Sequence, residues 1–182
     1  MAQEFHCDLA TEKKRYELHT NSDEQGYTQF LQKIIQPTFF YLTEKKIKIE
    51  QALDYGCGPN PRLAQLVREK SISCAAYDPY FYPEKKQDRY PLIFCTEVVE
   101  HFRQPRSDWL KLIETLSFGG VLGLMTQFHS GAKLFPDWWY VRDFTHISFY
   151  SQNTIEYLAK EWNLKIFKNE SSIMIAQKMQ SD

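Results

Sequence analysis

The feature that most constrains this chain is a short apolar run that stops abruptly on glycine: Leu53-Asp54-Tyr55-Gly56-Cys57-Gly58-Pro59. A run of that length closed by glycines reads as a short buried strand, Ala52–Tyr55. Asn60 then suits a helix N-cap and Pro61 the first helical turn, with Leu63, Leu66 and Val67 on one face of the helix. Glycine at such a turn tolerates positive φ and lets a ligand approach the backbone. The free N–H groups of the helix start favour an anionic part of that ligand. The next strand, Ser73–Tyr77, ends at Asp78, 24 positions after Asp54. A carboxylate placed there can accept hydrogen bonds from both hydroxyls of a ribose.

The remaining pattern alternates in the same way. Apolar positions Tyr27, Phe30, Leu31, Ile34 and Ile35 have helical spacing, and Pro37 should end or kink that helix. Pro91–Thr96 reads as a third strand, followed by a short helical stretch near Val98–Phe102. Ser107 should cap a helix with Leu110, Ile113 and Leu116 inward and Gly119-Gly120 at its end. Val121–Gln127 reads as a strand, Ser151–Trp162 as a helix, and the segments from Leu164 and Ile173 as a closing hairpin. The fold class expected is α/β: a mainly parallel, Rossmann-like sheet with helices on both faces and a C-terminal antiparallel hairpin. Length suits one domain over 1–182, with a helical cap or lid at 1–48 and the core at 49–182.

Composition narrows the partners. Net charge is −1, and the clusters at Lys13–Arg15, Lys45–Lys48 and Lys85–Lys86 are scattered among acidic residues, which speaks against nucleic acid. The start of the chain lacks a basic segment followed by an apolar one, and no apolar run reaches the roughly 20 residues that span a bilayer. Cys7, Cys57, Cys74 and Cys95 are far apart, as suits reduced thiols, and a cytoplasmic setting without membrane contact is expected. Cys57 and Cys95 are expected as small packing side chains.

The ligand itself can be narrowed. A dinucleotide loop needs a third glycine in G-x-G-x-x-G, and this chain has Pro61 there. There is also no GK[ST] end for a triphosphate loop.

Five segments in order resemble class I S-adenosylmethionine-dependent methyltransferases of the small-molecule type. They are Leu53–Gly58, Tyr77-Asp78-Pro79, Phe94–Phe102 with its Glu100-His101 pair and Pro105, Leu116–Leu122, and Asp143–Ser151. The resemblance covers about residues 50 to 178 and implies S-adenosylmethionine as cofactor and S-adenosylhomocysteine as product. By that likeness Gly56, Cys57, Gly58 and Asn60 hold the methionine end, with Asp54 near its ammonium group. Asp78 takes the ribose, Pro79 and Tyr80 pack on the adenine, and Thr96 and Glu97 line the pocket beneath. Two departures stand out. The stretch from Asp78 to Tyr90 is too short for the usual helix and third strand, leaving adenine to Tyr80, Phe81 and main chain near Thr96. Phe5–Asp8 resembles a clipped zinc-ribbon remnant, and one cysteine cannot form a tetrahedral site, so no metal is expected. Tyr16 and His19 resemble a segment that covers the cofactor; an ordinary surface helix is the alternative.

Residues 135–150 hold seven of the 28 aromatic residues, including Phe135, Trp138, Trp139 and Tyr140. They could form a wall for a flat or apolar small-molecule acceptor, a hydrophobic plug or a dimer contact, and monomer and homodimer remain open. His146 is the candidate general base, oriented by Asp143, with Glu97 and His101 as alternatives. His129 and Arg142 could instead hold an acceptor carboxylate. Three functions stand: methyl transfer to a small molecule or side chain, a catalytically silent cofactor-binding module serving a partner protein, and RNA methylation.

Overall fold

The computed structural model of the chain describes residues 6–18, 24–84, 86–131, 133 and 135–180. One six-stranded sheet organises them. Strands β1 (Gln51–Tyr55), β2 (Ser73–Tyr77), β3 (Tyr90–Thr96) and β4 (Leu116–Met125) are parallel. β5 (Leu164–Glu170) and β6 (Ile173–Lys178) form the closing hairpin, with β6 antiparallel to β4. The spatial order β2-β1-β3-β4-β6-β5 reverses direction at β1, which pairs with β2 on one side and β3 on the other. Open sheets bind ligands at such a switch point, beyond the carboxyl ends of the strands.

Successive strand residues point to opposite faces, and here both faces are covered, so the strands read as apolar runs without alternation. On one face, helix α2 (Glu24–Glu44) supplies Leu31, Ile34, Ile35 and Leu42, and α3 (Arg62–Arg68) supplies Leu63, Leu66 and Val67. They pack with Ala52, Cys74, Leu92, Phe94 and Val121. On the other face, α4 (Pro105–Thr115) brings Trp109, Leu112 and Ile113, and α5 (Gln152–Glu161) brings Ile155 and Ala159, against Leu53, Ile93, Leu122 and Leu124. A further helix, α1 (Leu9–Glu17), is capped by the Asp8 carboxylate, which accepts from Thr11 N at 2.8 Å.

Three local expectations change. α2 continues past Pro37 and does not end there. An interior proline costs about 3 kcal/mol, whereas each fully buried Leu or Ile contributes about 1.5–3 kcal/mol, so the four apolar side chains on the sheet outweigh it. The Thr38 hydroxyl donates to the Ile34 carbonyl at 2.8 Å. Gly123 lies directly beneath: a Cβ there would come within 2.9 Å of Thr38 Oγ1. α3 begins at Arg62 behind Pro61, and Asn60 is exposed and does not cap it. α4 starts at Pro105 and ends at Thr115, and the pair Gly119-Gly120 forms an irregularity inside β4 rather than a helix end. Its inner face is Trp109, Leu112 and Ile113, with Leu110 turned outward.

Among the described residues between Asp78 and Tyr90 no further strand of the sheet forms; Asp78 and Tyr82 make a single bridge, and β2 is the sheet edge. No helix among the described residues is long and apolar enough to cross a membrane. His19 lies outside the described residues.

Lys178, near the end of β6, is buried and donates to the carbonyls of Ile113 and Leu116 at 2.7 and 2.9 Å, satisfying the end of α4. Lys178→Met keeps the stem and leaves those carbonyls unpaired, so urea denaturation should show a loss of about 1–3 kcal/mol with secondary structure unchanged.

Candidate active site

The site begins where β1 and β2 end. Gly56 and Gly58 adopt φ +77° and +62°, and the N–H groups of Gly56 and Cys57 both donate to the Tyr77 carbonyl, at 2.7 and 3.1 Å. A Cβ on Gly56 would fall 2.4 Å from Val98 Cγ2, so no larger residue fits without displacing that side chain. A Cβ on Gly58 would meet nothing within 4 Å. Asp78 is buried, and its carboxylate accepts from Gly58 N at 3.0 Å, Tyr80 N at 2.8 Å and Phe81 N at 3.2 Å. It thereby ties the glycine loop to the loop after β2.

These residues line one side of a cavity of about 890 Å³. Gly56, Cys57, Gly58, Asn60, Asp78, Pro79, Tyr80 and Thr96 all reach it, as do Glu97, His101, Trp139, Tyr140, Arg142 and His146 on the far side. Asp54 is buried outside the lining, where its Oδ2 accepts from Ala64 N at 3.1 Å near the start of α3. The strand carboxylate thus anchors the helix. Burial raises its pKa to about 7, against the backbone bond and the Arg68 charge, which lower it. Burial also raises the Cys57 thiol, helped by Asp54 and Asp78, so it stays protonated.

Helix α1 reaches the cavity through Glu12, Arg15 and Tyr16. Glu12 is 5% exposed and collects three partners: the hydroxyls of Tyr16 (2.6 Å) and Tyr80 (3.0 Å) and Nη1 of Arg103 (2.8 Å). Arg15 pairs with Asp143 across the cavity at 2.8 Å. Tyr16 lines the cavity. Glu12, which holds it, carries no sequence signal beyond its four-residue spacing from Tyr16.

The far side is a buried acidic network. Glu97 takes φ +52°, a strained conformation for a non-glycine residue that aims its side chain at the cavity. The Tyr140 hydroxyl is 3.1 Å from Glu97 Oε2 and makes a short hydrogen bond to Glu100 Oε1. The Thr126 hydroxyl donates to Glu100 Oε2 at 3.0 Å. Glu100 is wholly buried, and its carbonyl accepts from the N–H groups of Ile147 and Ser148, both at 2.9 Å. Burial pushes both carboxyl groups well above the usual range, and the Glu97 charge raises Glu100 further. Tyr140 is raised by burial and by both acids, so it remains a proton donor.

His101 and His146 stand beside this network with ring centroids 4.9 Å apart. His101 Nδ1 donates to the Thr145 carbonyl at 2.9 Å, and His146 Nδ1 to the Tyr140 carbonyl at 2.7 Å. A backbone carbonyl thus helps to orient the His146 ring, and the His146 charge is among the causes that lower the Asp143 pKa. Asp143 accepts from Arg15 and from Thr145 N and Oγ1 at 3.0 and 2.7 Å, which hold its pKa down at about 2 although burial opposes them. Of the aromatic segment, only Trp139 and Tyr140 reach the cavity. Phe135 and Trp138 pack with His129 and Phe149 outside the lining, as a hydrophobic plug, and Phe81 is also outside it.

Comparisons with known proteins identify the family and the fold. A family model described as a methyltransferase domain matches residues 24–169. The chain belongs to that family of S-adenosylmethionine-dependent methyltransferases. A search of curated proteins finds no match. Three solved structures share the fold. A Haloferax volcanii methyltransferase, solved with a methyltransferase activator, is 8% identical with TM-score 0.57, the match covering 88% of this chain and 95% of that one. The plantazolicin methyltransferase BpumL, in complex with a monoazolic desmethylPZN analog and S-adenosylhomocysteine, is 14% identical with TM-score 0.55, covering 93% and 91%. The N-methyltransferase NodS from Bradyrhizobium japonicum is 12% identical with TM-score 0.53, covering 87% and 99%.

The residues present fit the family's cofactor: Gly58 leaves open space at the cavity where a side chain would otherwise stand, and the buried Thr96 Oγ1 on the lining has no hydrogen-bond partner.

A raised acid binds its proton in the folded state over a pH range where the unfolded chain has released it, so stability falls as pH rises through that range. For Asp54 the range runs from its ordinary 3.8 to about 7. The stability of wild type relative to Asp54→Asn, followed by urea denaturation, should fall across it by at most about 1.4 kcal/mol per pH unit and level off above neutrality.

Proposed function

We propose that this protein transfers a methyl group from S-adenosylmethionine to a small molecule or an accessible side chain seated between Tyr16, Glu97, Tyr140 and His146. One observation carries the reading: a single cavity receives the glycine loop and Asp78 from one side and the Glu97–Tyr140–His146 wall from the other. Its volume of about 890 Å³ lies near the top of the roughly 300–1,000 Å³ range of small-ligand sites, enough for two ligands in contact.

When bound, the cofactor supplies an electrophilic methyl group on a cationic sulfur. The chain then does three things. Gly56, Cys57, Gly58 and Asn60 cradle the methionine end, Asp78 with Pro79 and Tyr80 orients the adenosine, and Thr96 and Glu97 lie beneath. Helix α1, clamped by Glu12 and Arg15, excludes water from the reacting atoms. His146, with His101 and Glu97 beside it, takes the proton that an acceptor hydroxyl or amine loses; alignment supplies most of the remaining rate. The neighbours act on a plantazolicin-type compound and as an N-methyltransferase, and the near-neutral charge favours such acceptors over RNA.

A second reading, a cofactor-binding module that serves a partner protein, is favoured by β2, which forms the sheet edge where a third strand is expected. Sheet edges invite pairing with another chain. The test is calorimetric titration with S-adenosylmethionine and S-adenosylhomocysteine, NAD as control, followed by mass spectrometry of small hydroxyl and amine acceptors. Micromolar binding weakened at least tenfold in Asp78→Asn, with methylated product, is the expected result. Cofactor binding without turnover on any acceptor would favour the module; no binding by folded protein would remove both readings.

A further inference from the structure

Glu100, His101 and His146 come together from two separate segments, and one ligand atom from each lies within 4.8 Å of the other two. Two imidazoles and a carboxylate are a familiar donor set for first-row divalent metals. The supporting bonds are also those of a metal site. Both histidines donate Nδ1–H to a main-chain carbonyl, the kind of bond that fixes ring orientation and tautomer in metal sites. The Thr126 and Tyr140 hydroxyls orient the Glu100 carboxylate.

Two further observations point to a missing cation. Glu97 Oε1 is buried and has no hydrogen-bond partner. The Glu97 and Glu100 carboxylates share a single phenolic proton from Tyr140, and among the described residues no lysine or arginine forms an ion pair with either. A divalent cation would supply the paired charge that a buried carboxylate needs. The cluster is not sealed off: Glu97, His101 and His146 line the cavity, and Glu100 backs them.

We infer that Glu100, His101 and His146, with Glu97 as a further ligand, form a binding site for a divalent first-row metal ion that holds the hydroxyl oxygen of the methyl acceptor. Its catalytic part rests on the methyltransferase reading. The cation lowers the pKa of the acceptor hydroxyl, as it does for bound water. The proton leaves to solvent. The acceptor oxygen then forms the C–O bond to the methyl carbon as the C–S bond breaks, the electron pair remaining on sulfur as a neutral thioether. His146 acts as a ligand in this scheme, and the metal replaces it as the means of activating the acceptor.

The test uses the full chain, stripped with a chelator and titrated with Mn²⁺, Co²⁺ and Zn²⁺, with Mg²⁺ for comparison. Binding is followed by calorimetry, Mn²⁺ by electron paramagnetic resonance and Co²⁺ by its visible absorption. One saturable equivalent per chain is expected, weakened at least tenfold in His101→Ala, His146→Ala and the isosteric Glu100→Gln, and retained in Asp78→Asn. Circular dichroism of each variant separates lost ligation from lost folding. No saturable binding by folded protein, or binding indifferent to all three substitutions, would overturn the site. Metal bound without S-adenosylhomocysteine would leave the site standing and remove the methyltransferase reading; the reverse would remove the metal alone.

Discussion

The Asp78 carboxylate carries the geometry of the glycine-loop side of the cavity. Three backbone N–H groups converge on it, one from the glycine loop and two from the loop after β2. Charge-assisted bonds of this kind are about twice as strong as neutral ones. They hold the ends of β1 and β2 in the relation that opens the cavity. The reversal of strand order at β1 supplies the crevice, and Asp78 holds its rim in shape.

The opposite rim works by the reverse logic. Instead of saturating its carboxylates with N–H donors, the chain buries Glu97 and Glu100 against two hydroxyls and two imidazoles. A desolvated acidic wall is costly to the apo protein, and structures tolerate such cost where charge is needed for function. Helix α1 bridges the two rims, through Glu12 to Tyr80 and Arg103 and through Arg15 to Asp143. Side-chain bonds therefore tie α1 to both rims of the cavity.

The sheet and the glycine-loop rim of the cavity are legible in the sequence because they depend on local chemistry. Glycine turns, strand length and the spacing from Asp54 to Asp78 are near-neighbour properties. Pro37 misleads because its local penalty is smaller than the burial of Leu31, Ile34, Ile35 and Leu42, which only the assembled sheet supplies. Asp54 illustrates the same limit. Its place in the motif is visible, whereas its role as a buried anchor for Ala64 depends on how α3 folds back. The acidic wall is the least legible part. Glu97, Glu100 and His101 are close in sequence, but their meeting with Thr126, Tyr140 and His146 is a product of tertiary folding.

The most direct measurement is the crystal structure of the protein with S-adenosylhomocysteine. The ribose hydroxyls should lie against Asp78, the amino-acid end against Gly56–Gly58, and the sulfur should face Glu97 and His146. A ligand bound elsewhere, or one that leaves Asp78 engaged with the three backbone N–H groups alone, would contradict the assignment of this cavity as the site of methyl transfer.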